Sequence, residues 1–140
     1  MKILVDTSVW SLALRRKNGL ENSEADALRK LIENGEDIFL IGIILQEVLQ
    51  GIKRPADFQA LTNYFEAFPL IKLSREDFIK AAALKTHLIS KGVQASTVDA
   101  LIASAAVSHD CFLFTTDKDF LHIARHAKLK LLEWRTFELF

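Results

Sequence analysis

The sequence predicts an α/β protein built on a mostly parallel sheet with helices on both faces, and three observations carry that expectation. Short runs of apolar and β-branched residues recur along the chain without polar alternation, which marks strands buried on both faces. Between these runs lie stretches whose apolar residues follow helical spacing. The length, 140 residues at 50% hydrophobic, suits one domain over 1–140 with a sizeable core. No internal repeat, low-complexity tract or linker divides it.

"KILVD" (2–6) is the first strand, brief and apolar, ending on Asp6. Thr7 or Ser8 is expected to cap a short helix through Trp10 and Leu14. "RRKNG" (15–19) reads as a basic loop. "NSEADALRKLIEN" (22–34) sets Ala25, Leu28, Leu31 and Ile32 on one helical stripe, and Gly35 stops it. "DIFLI" (37–41) is the second strand, followed by a helix over 43–53, "IILQEVLQGIK". Pro55 opens the next helix, spaced by Leu61, Tyr64, Phe65 and Phe68 and closed by Pro69. "LIKL" (70–73) is a third strand. Ser74 and Asp77 form a capping pair for a long helix through Lys91, stopped by Gly92. Ser96 caps "TVDALIASAAVSH" (97–109). "CFLFTT" (111–116) is the fourth strand, "KDFLHIARHA" (118–127) a helix, and "LKLLEW" (129–134) the last strand.

Lys and Arg number 18, and so do Asp and Glu. That balance argues against nonspecific nucleic-acid binding through net charge, but not against a local basic patch. The single cysteine, Cys111, sits in an apolar run and reads as a small buried hydrophobe in a reducing cytoplasm. No CxxC or HExxH pattern suggests zinc. The longest apolar run, "IFLIGIIL" (38–45), falls far short of the roughly 20 residues that span a bilayer. No export signal is read at the N-terminus.

The carboxylates are the informative residues. Ligands of open parallel sheets bind beyond the carboxyl ends of the strands. Asp6 ends the first strand and Asp117 follows the fourth, with Asp119 one residue beyond Lys118. Glu47 interrupts a mostly apolar helix, and Gly51 one turn later is read as keeping that face open. Asp99 lies in the first turn of a helix rich in Ala and aliphatics, with no Lys or Arg one turn away. A buried, unpaired carboxylate is costly and takes up a proton instead. A hard divalent cation such as Mg²⁺ would satisfy several carboxylates at once. Each acid also has an ordinary structural role. Asp6 can end a strand, Asp117 can cap a helix, Asp99 and Asp119 can face a helix dipole, and Glu47 can pair with Lys53 or Arg54. That all of them also obey the strand-edge rule favours a shared site.

The order "ILVDTSVW", "IILQEVLQG", "STVDALIASAA", "LFTTDKDF" resembles a PIN domain, and most closely the VapC-type toxin ribonucleases. The resemblance runs along essentially the whole chain. It implies a Rossmann-like α/β/α sandwich of three layers. It implies an acidic pocket of Asp6, Glu47, Asp99 and Asp117 holding Mg²⁺ or Mn²⁺, with Asp6 and Asp99 as the foremost direct ligands and Asp119 in support. Hydroxyls of Thr7, Ser8, Thr115 or Thr116 would orient a carboxylate or a metal water. The implied activity is endonucleolytic hydrolysis of RNA by a metal-activated water, with Glu47 or Asp117 accepting its proton. The implied partners are RNA, a cognate antitoxin protein and a second copy of the chain.

Arg15, Arg16 and Lys17, and also Lys53 and Arg54, are candidate phosphate contacts. His87, His109, His122 and His126 do not cluster in sequence, and Trp10, Phe39, Phe58, Phe65 and Phe68 read as core or interface. The apolar surface of the helices at 22–34 and 55–68 is expected to serve either the dimer or an antitoxin groove, where a partner could lay an amphipathic helix. The main alternative is a noncatalytic PIN-like module that binds RNA or protein, against which the complete acidic set argues. A phosphoacceptor receiver would carry paired acids after the first strand, where Asp6 stands alone before Thr7. A haloacid-type phosphatase would carry an acid at position 8, which is Ser8.

Overall fold

Consecutive residues of the first strand, Ile3, Leu4 and Val5, are fully buried, so both faces of the sheet are covered, as the unalternated runs require. The computed structural model describes residues 1–14 and 23–135. The strands are β1 (Lys2–Val5), β2 (Asp37–Ile41), β3 (Leu70–Ile71), β4 (Phe112–Phe114) and β5 (Lys130–Leu131). They form one sheet in the order β3-β2-β1-β4-β5. Every pairing is parallel. With the helices this makes a three-layer α/β/α sandwich.

The helices are α1 (Thr7–Leu14), α2 (Ser23–Glu33), α3 (Gly42–Gln50), α4 (Pro55–Phe65), α5 (Arg75–Ser90), α6 (Thr97–Ser108) and α7 (Asp119–Ala124). Gly35 and Gly92 take positive φ, +74° and +73°, where glycine is unstrained. The Ser74 and Asp77 capping box is present in full. The Ser96 side chain accepts from the Asp99 N–H at 3.0 Å. Asp77 is buried and meets His109 Nε2 at 3.0 Å, which ties the start of α5 to the end of α6.

Several expected boundaries contract. The last three strands are shorter than the apolar runs that encode them, because the ladder ends where the neighbouring strand ends. β3 and β5 are edge strands of two residues each. Leu70 is more than half exposed there. α3 stops at Gln50, and Gly51 is its cap with φ −83°. A Cβ at Gly51 would meet only the Val48 carbonyl, at 3.7 Å, so no close approach demands glycine. Thr7 and Ser8 do not precede α1. They lie within its first turn, and the Asp6 carbonyl accepts from Val9 and Trp10 N–H.

The core runs along both faces of β1, β2 and β4. Trp10 and Phe65 pack edge to face, with centroids 4.9 Å apart, and Phe68 and Tyr64 extend the cluster. Phe58 remains 42% exposed and is not part of it.

Candidate functional site

The strand order reverses at β1. The chain runs outward through β2 and β3 on one side, then returns to β4 and β5 on the other. Such a switch point leaves a crevice at the carboxyl edge of the sheet. Val5 is in register with Phe114, so the residues that follow, Asp6 and Thr115, meet side by side. The Asp6 N–H donates to the Phe114 carbonyl at 2.9 Å.

Asp6 is buried, 5% exposed, and a buried carboxylate needs donors. Its Oδ2 accepts from the Ser8 hydroxyl and from the Thr115 hydroxyl, each at 2.8 Å. The Ser8 Oγ in turn accepts from the Thr116 N–H at 3.1 Å, and Thr115 Oγ1 accepts from the Asp117 N–H at 3.0 Å. This network fastens the start of α1 to the loop after β4. Glu47, in the second turn of α3, joins through Thr7, whose hydroxyl donates to Oε1 at 2.8 Å. Its partner is therefore Thr7 and not Lys53 or Arg54.

The loop after β4 turns on Asp117, whose Oδ1 accepts from the Asp119 N–H at 2.9 Å. Asp117 is therefore a turn residue and not the expected cap of α7, since Lys118 directly precedes that helix. Asp99, Asp117 and Asp119 each present a carboxylate oxygen, all within 4.8 Å of one another. Burial raises the Asp99 carboxyl above its ordinary value, Asp117 raises it further, and Asp6 and Asp119 add to this; the Ser96 side chain opposes them. Among the described residues no Lys or Arg forms an ion pair with Asp6, Glu47, Asp99, Asp117 or Asp119. Crowded like charges, all on hard oxygen, fit a metal ion.

The remaining candidates fall elsewhere. Lys53 and Arg54 are exposed in the turn between α3 and α4. They line an open groove of about 690 Å³ with Leu14, Leu61 and Tyr64, apart from the three-aspartate cluster. Arg15, Arg16 and Lys17 lie outside the described residues. The Thr116 backbone takes part in the network, through its N–H. His109 is satisfied by Asp77, and among the described residues no histidine joins a metal-ligand group. Sequence reasoning missed that Glu24, Trp134 and Arg135 reach the neighbourhood of Asp117, where they line a second cavity with it. Nothing local marks them, since Trp134 and Arg135 arrive through the parallel pairing of β5 with β4 and Glu24 from the start of α2.

The PIN domain family matches residues 3–126. Comparison with curated proteins gives no match. Among solved structures, a chain in that of VapBC2 from Rickettsia felis bound to a DNA fragment from their promoter is 25% identical, with a TM-score of 0.76, over 94% of this chain and 98% of that one. A chain of a toxin-antitoxin complex from Klebsiella pneumoniae is 21% identical, with a TM-score of 0.68, over 85% of this chain and 90% of that one. A chain of VapBC-1 from nontypeable Haemophilus influenzae is 17% identical, with a TM-score of 0.74, over 96% and 99%.

Proposed function

The chain belongs to the PIN domain family, and on that premise we propose that it is a Mg²⁺- or Mn²⁺-dependent endoribonuclease, the toxin of a toxin–antitoxin pair. The observation that carries this reading is the convergence of Asp99, Asp117 and Asp119 at the switch point of the sheet. Three carboxylates that no described Lys or Arg pairs with make a poor place for a phosphodiester and a good one for a dication.

In this reading Asp99, Asp117 and Asp119 would hold the ion, and Asp6, whose charge bears on Asp99, would assist them. When bound, the ion supplies Lewis acidity and a water of lowered pKa. The chain supplies the rest. Ser8 and Thr115 fix the Asp6 carboxylate by bonding Oδ2. Thr7 holds Glu47 by Oε1, and Glu47 would serve as the proton acceptor. Lys118, exposed between the two aspartates of its loop, contacts a substrate phosphate, and Lys53 and Arg54 carry the strand further away.

The likeness to chains of toxin-antitoxin assemblies supports a partner antitoxin for this chain, with the groove beside α4 as its seat. A second copy of the chain completes the assembly, and its work is in the cytoplasm, where translated RNA lies. Among the described residues no helix is long and apolar enough to cross a membrane.

Purified protein is expected to cut single-stranded RNA with Mg²⁺ or Mn²⁺ and to stop with a chelator. Asp99→Asn is expected to lower the rate by at least about 10² while the fold is retained, as for loss of a group that acts only on the transition state. Equal rates for parent and variant would remove Asp99 from the site. Binding of RNA without any cleavage under these conditions would leave a binding module in place of an enzyme.

A further inference from the structure

A cavity of about 350 Å³ opens beside the acid cluster and shares Asp117 with it. It lies where β4 and its parallel neighbour β5 both end, between the loop that carries Lys118 and the segment that carries Trp134 and Arg135. Leu121 from α7 and Glu24 from the start of α2 complete its walls.

The lining fits a flat, polar-edged ring. Leu121 is 52% exposed, although Phe120 and Ile123 on the same short helix are fully buried. Its side chain is therefore apolar surface facing the opening and no part of the core. The Arg135 guanidinium lies 5.2 Å from the centre of the Trp134 ring, so its plane is steadied by an aromatic neighbour. An aliphatic face and a guanidinium plane are surfaces on which nucleobases stack. A phosphate group suits the interior less, because the carboxylates of Glu24, Asp117 and Glu133 share the lining with the two cations. Carboxylates accept instead from the amino groups of base edges. Lys118, at the exposed rim, is left for the backbone phosphate.

We propose that this cavity is a nucleobase subsite, which seats the base of the RNA nucleotide next to the bond that is cut and favours a base with an exocyclic amino group over uracil. Glu24 is the specificity-determining residue and Leu121 the stacking surface. The inference rests on the nuclease reading for its substrate, but its test does not need cleavage.

The test is an NMR titration of the whole chain without metal, following the Leu121 methyl and Trp134 indole signals. The probes are the four ribonucleoside 5′-monophosphates, with ribose 5-phosphate as the control. The amino-bearing nucleotides should shift both signals saturably, and uridine monophosphate should bind about tenfold more weakly, the loss of one base-edge contact. Leu121→Asp should abolish the shifts, with Leu121→Ala as the milder variant should the first unfold. Glu24→Gln should bring the four bases to similar affinity. Absent shifts, or shifts from ribose 5-phosphate equal to those from the nucleotides, would overturn the subsite. So would cleavage by Glu24→Gln and Leu121→Ala with the parent's base preference unchanged. A chain that binds the bases selectively yet cuts no RNA would overturn the nuclease reading and leave the subsite standing.

Discussion

Asp99 is the residue on which the electrostatics of the pocket converge. Burial and the carboxylates of Asp117, Asp6 and Asp119 hold its proton more tightly than the unfolded chain does. For a raised acid the sign is fixed: the folded state binds the extra proton, so stability falls as pH rises from the ordinary carboxylate value through the raised one. Asp77 pulls the opposite way. The Ser74 backbone N–H chiefly, with His109 and the Ser74 side chain, holds its carboxyl low against the effect of burial, so its contribution is lost on acidification. Comparing parent with Asp99→Asn isolates the first effect. With chelator present, the variant is expected to match or exceed the parent in thermal stability at pH 7, and the difference should shrink toward pH 4. A variant less stable than the parent at neutral pH would show that Asp99 is satisfied without a cation.

The α6 helix is the element that carries Asp99 to the sheet edge, and both of its ends are built for the purpose. Ser96 caps the start, and Lys85 on α5 donates to Thr97 at 3.0 Å. At the other end His109 meets buried Asp77, and the chain then turns sharply through Asp110 into β4. Asp110 has φ 55°, a left-handed conformation that Asp tolerates and β-branched residues do not. Asp110→Val is expected to cost about 1–2 kcal/mol in urea unfolding. Asp110→Gly should stay close to the parent, since its exposed contact with Lys130 is worth little. Equal losses for both would point to the Lys130 contact and not to the backbone.

Across the molecule, the five-stranded parallel sheet brings Asp99 at the start of α6 together with Asp117 and Asp119 around the start of α7, with Asp6 after β1 bearing on Asp99, while Glu47 of α3 lies outside that group of three. The repulsion of Asp117, Asp6 and Asp119 on Asp99 is a standing cost, which a cation bound to the folded state alone would offset. At a concentration 100 times its dissociation constant, Mn²⁺ should add about 2.7 kcal/mol, or roughly 5–10 °C in Tm. Asp117→Asn and Asp119→Asn should each blunt that shift, while Lys53→Ala should leave it intact. A Tm indifferent to Mn²⁺ in the parent would empty the cluster of its proposed role.

The strands, the helices and most of their caps were readable from residues near one another in the chain. Unbroken apolar runs dictate strands buried on both faces, and Ser74, Ser96, Gly35 and Gly92 act within a turn of where they stand. The acids could be singled out for the same kind of reason, because Asp6, Glu47 and Asp99 sit in apolar surroundings that a carboxylate avoids unless something compensates. Their partners were another matter. That Thr7 holds Glu47 depends on how α1 packs against α3, that Thr115 joins Ser8 on one oxygen of Asp6 depends on the register of β1 against β4, and that Asp99 stands with Asp117 and Asp119 depends on where α6 begins. Those are long-range pairings, set by how whole elements pack, and local spacing carries no trace of them.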